Sequence, residues 1–296
     1  MNKQSSRRSA IKSIAGSAAL LSVPLSLTDA IAKADDALGA GLKGKIKHSV
    51  ARWCYAKIPL DDLCREAKKI GLTSIELQGP EEWPVLKKHG LTCAMPWGAG
   101  MGIEKGWNDP ALHDELIKSY EGIFPKVAAA GYDKVICFSG NRRGMSDEQG
   151  LENCAKGLKR LMASAEKHKV TMVMELLNSK VNHKDYMCDT TPWGVALCEK
   201  VGSERLKLLY DIYHMQIMEG DVIATIRKYH PFFAHYHTGG VPGRAEIDET
   251  QELYYPAIIK AIVETGYTGF VGQEFVPKRP DAIASLKQGV EICDIA

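Results

Sequence analysis

Eight short apolar, β-branched runs are spaced along residues 48–275, and a stretch with helical spacing follows each one. The runs are His48–Tyr55, Ser74–Leu77, Leu91–Trp97, Lys134–Ser139, Thr171–Asn178, Leu206–Tyr213, Phe232–Thr238 and Phe270–Phe275. Runs of this length between turn residues read as strands buried on both faces, and strict alternation with helices makes the sheet parallel. The spacing predicts helices at Leu60–Ile70, Glu81–His89, Pro110–Ala130, Asp147–His168, Pro192–Lys200, Val222–Tyr229, Leu253–Thr265 and Asp281–Cys293. Eight units of each kind close into an α/β fold, a (β/α)8 TIM barrel, as a single catalytic domain over residues 46–296. An open doubly wound sheet would carry a glycine-rich phosphate loop after its first strand. Trp53-Cys54-Tyr55-Ala56-Lys57 is nothing of the kind.

Punctuation supports the helices. Ile70-Gly71, His89-Gly90, Ala130-Gly131 and Thr265-Gly266 each place Gly where a left-handed residue ends a helix. Asp109-Pro110 and Thr191-Pro192 place Pro at a first helical position behind a capping side chain.

Residues 1–32 read as an address. Arg7-Arg8 precede a weakly apolar run, Ile14 to Leu27, too short to span a bilayer but suited to a signal h-region, and Ala30-Ile31-Ala32 has the form of a cleavage site. The pattern resembles a twin-arginine export signal, which implies a periplasmic, exported protein with no stable membrane span. Residues 33–45 read as a flexible lead-in. The leader holds Lys3, Arg7, Arg8, Lys12 and Asp29, so the formal charge of +2 becomes −1 without it. Such a chain has no charge excess to draw it onto nucleic acid. The eight cysteines include no CxxC pair and several sit in apolar runs, as buried small hydrophobes do; the pairing of any after export is left open.

In such a barrel, chemistry sits at the C-terminal ends of the strands. The fifth run ends Met174-Glu175-Leu176, the sixth Tyr210-Asp211-Ile212, the seventh His235-Tyr236-His237 and the eighth Gly272-Gln273-Glu274-Phe275. A charge inside an apolar run must be paired or metal-bound, because burying it alone is expensive. Glu175, Asp211, His237 and Glu274 are therefore candidate ligands of one divalent ion. Three carboxylates and an imidazole suit Mn²⁺ or Mg²⁺, with Co²⁺ or Zn²⁺ as alternatives. His235 is either a support to that set or a core histidine, and Gly272 is expected to leave room for a ligand above it.

Met174–Asn178, Tyr210–Gly220, Val241-Pro242-Gly243-Arg244 and Gly269–Phe275 together resemble the hydroxypyruvate isomerase family, within the xylose isomerase-like TIM barrels. The resemblance implies a metal-dependent isomerase of a small hydroxy-carbonyl substrate, converting hydroxypyruvate to tartronate semialdehyde through a metal-stabilised enediolate. It implies Glu175 and Glu274 as acid/base residues as well as ligands, and His214 and Arg244 as substrate contacts. Members compared carry Gln where this chain has His237, and the related ketose 3-epimerases carry His, so a keto-sugar epimerase or dehydratase is the alternative. Trp53, Tyr55 and Trp97 either wall the pocket or pack beneath the loops. A metal-dependent endonuclease would need further His or Glu ligands where the earlier runs offer Gln78, Trp97 and Ser139. An exported sugar-binding protein without catalysis is the non-enzyme alternative. The expected partner is a small hydroxy-carbonyl compound or sugar, with homo-oligomers left open.

Overall fold

The computed structural model describes residues 41–295. The expected signal over 1–32, and the first part of the lead-in, lie outside the described residues. Of the remaining lead-in, Lys43 donates its backbone N–H to Asp294 Oδ2 at 2.7 Å, which ties it to the end of the last helix. Among the described residues, no helix is long and apolar enough to cross a membrane.

Seven parallel strands form the sheet among the described residues: β1 (Lys47–Ala51), β2 (Ser74–Glu76), β3 (Lys134–Cys137), β4 (Thr171–Glu175), β5 (Leu206–Asp211), β6 (Phe233–Thr238) and β7 (Phe270–Gln273). Their order is β2-β1-β7-β6-β5-β4-β3. The third run, Leu91–Trp97, is not a regular strand. It nevertheless fills the gap between β2 and β3: Thr92 exchanges bonds with Thr73 and Ile75, Leu77 donates to Met95, and Ile136 donates to Pro96. Pro96 has no N–H to continue a ladder, which is why an eighth strand position is occupied without a strand forming. The barrel closes through this segment.

Around the sheet lie α1 (Leu60–Ile70), α2 (Trp83–Lys88), α3 (His113–Ala129), α4 (Asp147–His168), α5 (Thr191–Val201), α6 (Ile212–Met218), α7 (Val222–Tyr229), α8 (Tyr255–Glu264) and α9 (Ala282–Cys293). α1, α4 and α7 have the bounds the spacing predicts. α6 was not expected; its residues Ile212, Tyr213 and Met215 are buried, and the first two had extended the sixth apolar run. α1 ends at Gly71 in the left-handed region (φ 102), where any side chain would be strained. Asp109 caps the turn before α3 by accepting from Ala111 N at 3.0 Å. Thr191 does not cap α5 as expected. The Glu219 carboxylate does that work from the end of α6, accepting from Thr191 N and Oγ1, both at 2.7 Å.

The core lies mainly between barrel and helices. Leu158 and Leu161 of α4, Met172 of β4 and Leu208 of β5 are fully buried, each such side chain contributing on the order of 2 kcal/mol. All eight cysteines are free, and only Cys54 is not buried.

Candidate active site

The four residues expected at the strand ends converge. One ligand atom from each of Glu175, Asp211, His237 and Glu274 can be chosen so that all lie within 4.8 Å of one another, and all four residues are buried. Glu175 closes β4, and its own carbonyl is held by the Tyr186 hydroxyl at 2.9 Å. Asp211 closes β5 and also caps α6: its Oδ1 accepts from His214 N at 3.1 Å, which leaves Oδ2 turned to the site. Glu274 follows β7, where its N–H donates to Thr238 O at 3.2 Å.

His237 Nδ1 stands 2.7 Å from Glu274 Oε2, 3.5 Å from Glu175 Oε1 and 4.0 Å from Asp211 Oδ2. At none of these does it make a well-directed hydrogen bond, so a buried nitrogen faces three carboxylates. An orphaned nitrogen and three acidic oxygens around one point are a donor set for a hard or borderline divalent cation. The residues present fit such an ion.

Arg244 supplies the cation closest to this cluster in the described ion pairs. Its Nη2 lies 2.6 Å from Glu274 Oε2 and 3.1 Å from Asp211 Oδ2. The guanidinium lies between Trp53 and Tyr213, its Cζ 5.2 and 5.3 Å from their ring centroids. Its backbone is left-handed (φ 54), a strained setting for a residue other than glycine. Arg244 is thus built into the site and is not a solvated loop residue.

The charges pull the carboxylates apart. Burial would raise Glu274, but His237 and Arg244 outweigh it and hold its carboxyl well below the usual range. Trp53 Nε1 also donates to Glu274 Oε1 at 2.6 Å. Glu175 is raised, chiefly by burial, with the Glu274 charge adding to it. Burial likewise pushes Asp211 up to about 7 against the pull of Arg244. Burial would lower His237, yet the Glu274 charge and the surrounding carboxylates carry it well above its ordinary value.

A cavity of about 530 Å³ opens onto Glu175, Glu274 and Arg244 and is walled by Trp53, Leu77, Trp97, Ile103, Phe138, Leu177 and His183, with Gly79 and Glu82. Trp53 and Trp97 therefore line it. Tyr55 does not; it is buried edge-on to Phe275, the ring centroids 6.4 Å apart. His214 is fully buried behind Asp211, its Nδ1 receiving the Asn178 backbone N–H at 3.1 Å. The histidine at the cavity wall on that side is His183, its ring 5.3 Å from that of His214 and its pKa lowered first by burial and then by Arg244. No period or motif marked His183, which lies in the long loop after β4.

The space above Gly272 is not free for a ligand. A Cβ there would fall 2.5 Å from Glu76 Oε1 and 3.0 Å from His237 Cδ2. Glu76, at the end of β2, had drawn no notice in a three-residue strand. It is wholly buried, with His235 Nε2 and His237 Nε2 at 2.8 and 2.6 Å from its Oε1. Burial would raise Glu76; His235 first, then His237, outweigh that and hold it at about 2. His235 is thus a partner of Glu76 and touches none of the other three carboxylates in the described ion pairs.

A family model described as xylose isomerase-like TIM barrel matches residues 64–293. The putative hydroxypyruvate isomerase of Homo sapiens is 36% identical over 114 residues, which are 38% of this chain and 41% of that protein. The match with that relative thus spans about two fifths of its length. Hydroxypyruvate isomerase of Escherichia coli (strain K12) is 27% identical over 230 residues, 72% of this chain and 86% of its own. Among solved structures, an AP endonuclease of family 2 from Brucella melitensis superposes with a TM-score of 0.75 at 23% identity, covering 83% of this chain and 99% of its own. At that identity the likeness bears on fold alone.

Proposed function

Because the chain belongs to the xylose isomerase-like TIM barrel family, we propose that it is a metal-dependent isomerase of a small hydroxy-carbonyl compound, acting on hydroxypyruvate or a related 2-oxo acid. The convergence of Glu175, Asp211, His237 and Glu274 at the floor of a cavity carries this reading. The isomerase relatives named above support it.

A divalent cation held by those four residues would supply Lewis-acid stabilisation of negative charge that builds on substrate oxygens. The chain's own groups move the protons. Glu274 is fixed by Trp53 Nε1 on one oxygen and Arg244 Nη2 on the other, and is kept as carboxylate. It is the base that takes a proton from carbon. Glu175 has His237 Nδ1 no nearer than 3.5 Å, and burial first, with the Glu274 charge adding to it, raises its pKa above the ordinary carboxylate value. It is the acid that serves the neighbouring carbon or oxygen, and a pair of carboxyls pushed apart in this way divides acid from base. Arg244, stacked and rigid, orients the substrate's oxygens, and a guanidinium suits a carboxylate. His183 offers the same wall a neutral ring nitrogen.

The test is to strip the purified protein of metal, reload it with Mn²⁺ and follow hydroxypyruvate in D₂O by proton NMR. Tartronate semialdehyde should form, and Glu175→Gln and Glu274→Gln should each remove that turnover, by roughly 10²- to 10⁴-fold or more, with the circular dichroism unchanged. Full activity in either variant would sink the two-glutamate assignment.

One observation favours a second reading, a keto-sugar epimerase or dehydratase. Away from Arg244 the cavity wall is Leu77, Trp97, Ile103 and Phe138 with Glu82, and holds no cation. Leu77 stands at φ 60, a conformation that costs a bulky residue about 1–3 kcal/mol. A three-carbon acid would leave this apolar end unfilled, whereas a sugar ring would cover it. Deuterium uptake with ketoses, and none with hydroxypyruvate, would decide for this reading.

A further inference from the structure

We propose that Glu76 is the positioning residue of the site: its single oxygen Oε1 accepts the Nε2–H of both His235 and His237 and so aims His237 Nδ1 at Glu175, Asp211 and Glu274. The inference rests on the metal-site reading above and adds a residue that the strand-end pattern did not reveal.

The chemistry is constrained by the donor inventory. A carboxylate only accepts, so two imidazole nitrogens at 2.6 and 2.8 Å from one oxygen must both carry protons. With Nε2–H pinned, the His237 atom left for the cluster is Nδ1, the buried nitrogen that lacks a well-directed partner. A ligating histidine ordinarily donates its other ring N–H to a carboxylate or carbonyl, which fixes ring orientation and raises ligand basicity. Glu76 stands in that relation to His237, and His235 holds the same oxygen from below on the same face of β6.

The barrel is shaped to let Glu76 reach across. β2 and β6 are separated by β1 and β7. In register, Ala51 pairs with Glu76, Ser49 with Gly272, and Gly272 with His237. The interior positions between the carboxylate and the histidines are thus Ala, Ser and Gly, the smallest side chains. A Cβ on Gly272 would meet Glu76 Oε1 at 2.5 Å and Cδ at 2.9 Å. Gly272 and Glu76 are two halves of one device, drawn from strands almost 200 residues apart in sequence.

The test uses the metal-stripped protein titrated with Zn²⁺ against a chelator of known affinity, with imidazole-¹⁵N NMR of the Zn²⁺-loaded form. The wild type should take up one ion, and the Nε2–H resonances of both His235 and His237 should appear with His237 ligated through Nδ1. Glu76→Gln keeps an oxygen that can accept both N–H bonds but loses the negative charge that makes His237 a more basic ligand, and should bind about 10- to 100-fold more weakly. Its metal-free melting temperature should stay close to that of the wild type, and Glu76→Asp should recover part of the affinity. Wild-type affinity in Glu76→Gln, ligation of His237 through Nε2, or two ions per chain (Glu76 then being a ligand itself) would each overturn the proposal. If Glu76→Gln fails to fold, Gly272→Ala presses on the same carboxylate without removing it and should give the same loss of affinity. If the wild type takes up no ion, the metal reading fails by itself. The two Nε2–H resonances, measured in the metal-free protein, then decide whether Glu76 holds both rings.

Discussion

Replacing Asp211 by Asn separates the two roles of that side chain. Asn accepts a backbone N–H at a helix start as well as Asp does, so the bond from His214 N to Oδ1 and the start of α6 are kept. What is lost is a charge that the fold does not welcome without an ion, since burial moves Asp211 from 3.8 to about 7. For an acid raised in the folded state, ionisation opposes folding. The penalty is absent below pH ~4, where both states are protonated, grows between pH ~4 and ~7, and is complete above pH ~7. A displacement of that size corresponds to roughly 4 kcal/mol at full effect, of which about 2.5 kcal/mol develops between pH 5 and pH 8. Metal-free Asp211→Asn is therefore expected to be more stable than the metal-free wild type, with a gap that widens by about 2.5 kcal/mol over that range. Urea titrations of both chelator-treated proteins at the two pH values measure it. Saturating Mn²⁺ at about 100-fold over Kd should add roughly 2.7 kcal/mol to the wild type and much less to the variant. A gap independent of pH, or a metal-free variant less stable than the wild type at pH 8, would refute the idea that these carboxylates are built around a missing positive charge.

Three further outcomes are expected. Trp97→Ala opens the apolar end of the cavity and should weaken binding of ketoses by about 1–2 kcal/mol, leaving hydroxypyruvate turnover unaltered; saturation-transfer NMR reads the first and the coupled assay the second. Lys169, the residue after α4, has φ 57, and Lys169→Gly should raise stability by about 1 kcal/mol in a urea melt, because glycine adopts that conformation without strain. We also propose that residues 1–32 are an export leader; intact mass of protein recovered from the periplasm of an expressing cell should begin at Lys33, and retention of Arg7-Arg8 there would overturn that reading.

The sequence alone determined the barrel and most of the cluster. Alternation of apolar runs and helical stretches is a local periodicity, and a carboxylate inside an apolar run is a local anomaly, so Glu175, Asp211, His237 and Glu274 could be read from their own neighbourhoods. Pro96 gave the only local hint that the third run would not form a strand, and Glu219 as the cap of α5 gave none. Tertiary structure alone decided the rest. Glu76 becomes meaningful only once β2 is carried round the barrel to within a hydrogen bond of β6, past Ala51, Ser49 and Gly272. His214 faces Asn178 because α6 begins immediately after Asp211 and turns that histidine inward, while His183, from the loop after β4, takes the cavity wall. Arg244 is stacked between Trp53 and Tyr213, residues 191 and 31 positions away. Periodicity reports which face of an element is buried. It carries no information on which distant element that face will meet, and the support of this site is made of such meetings.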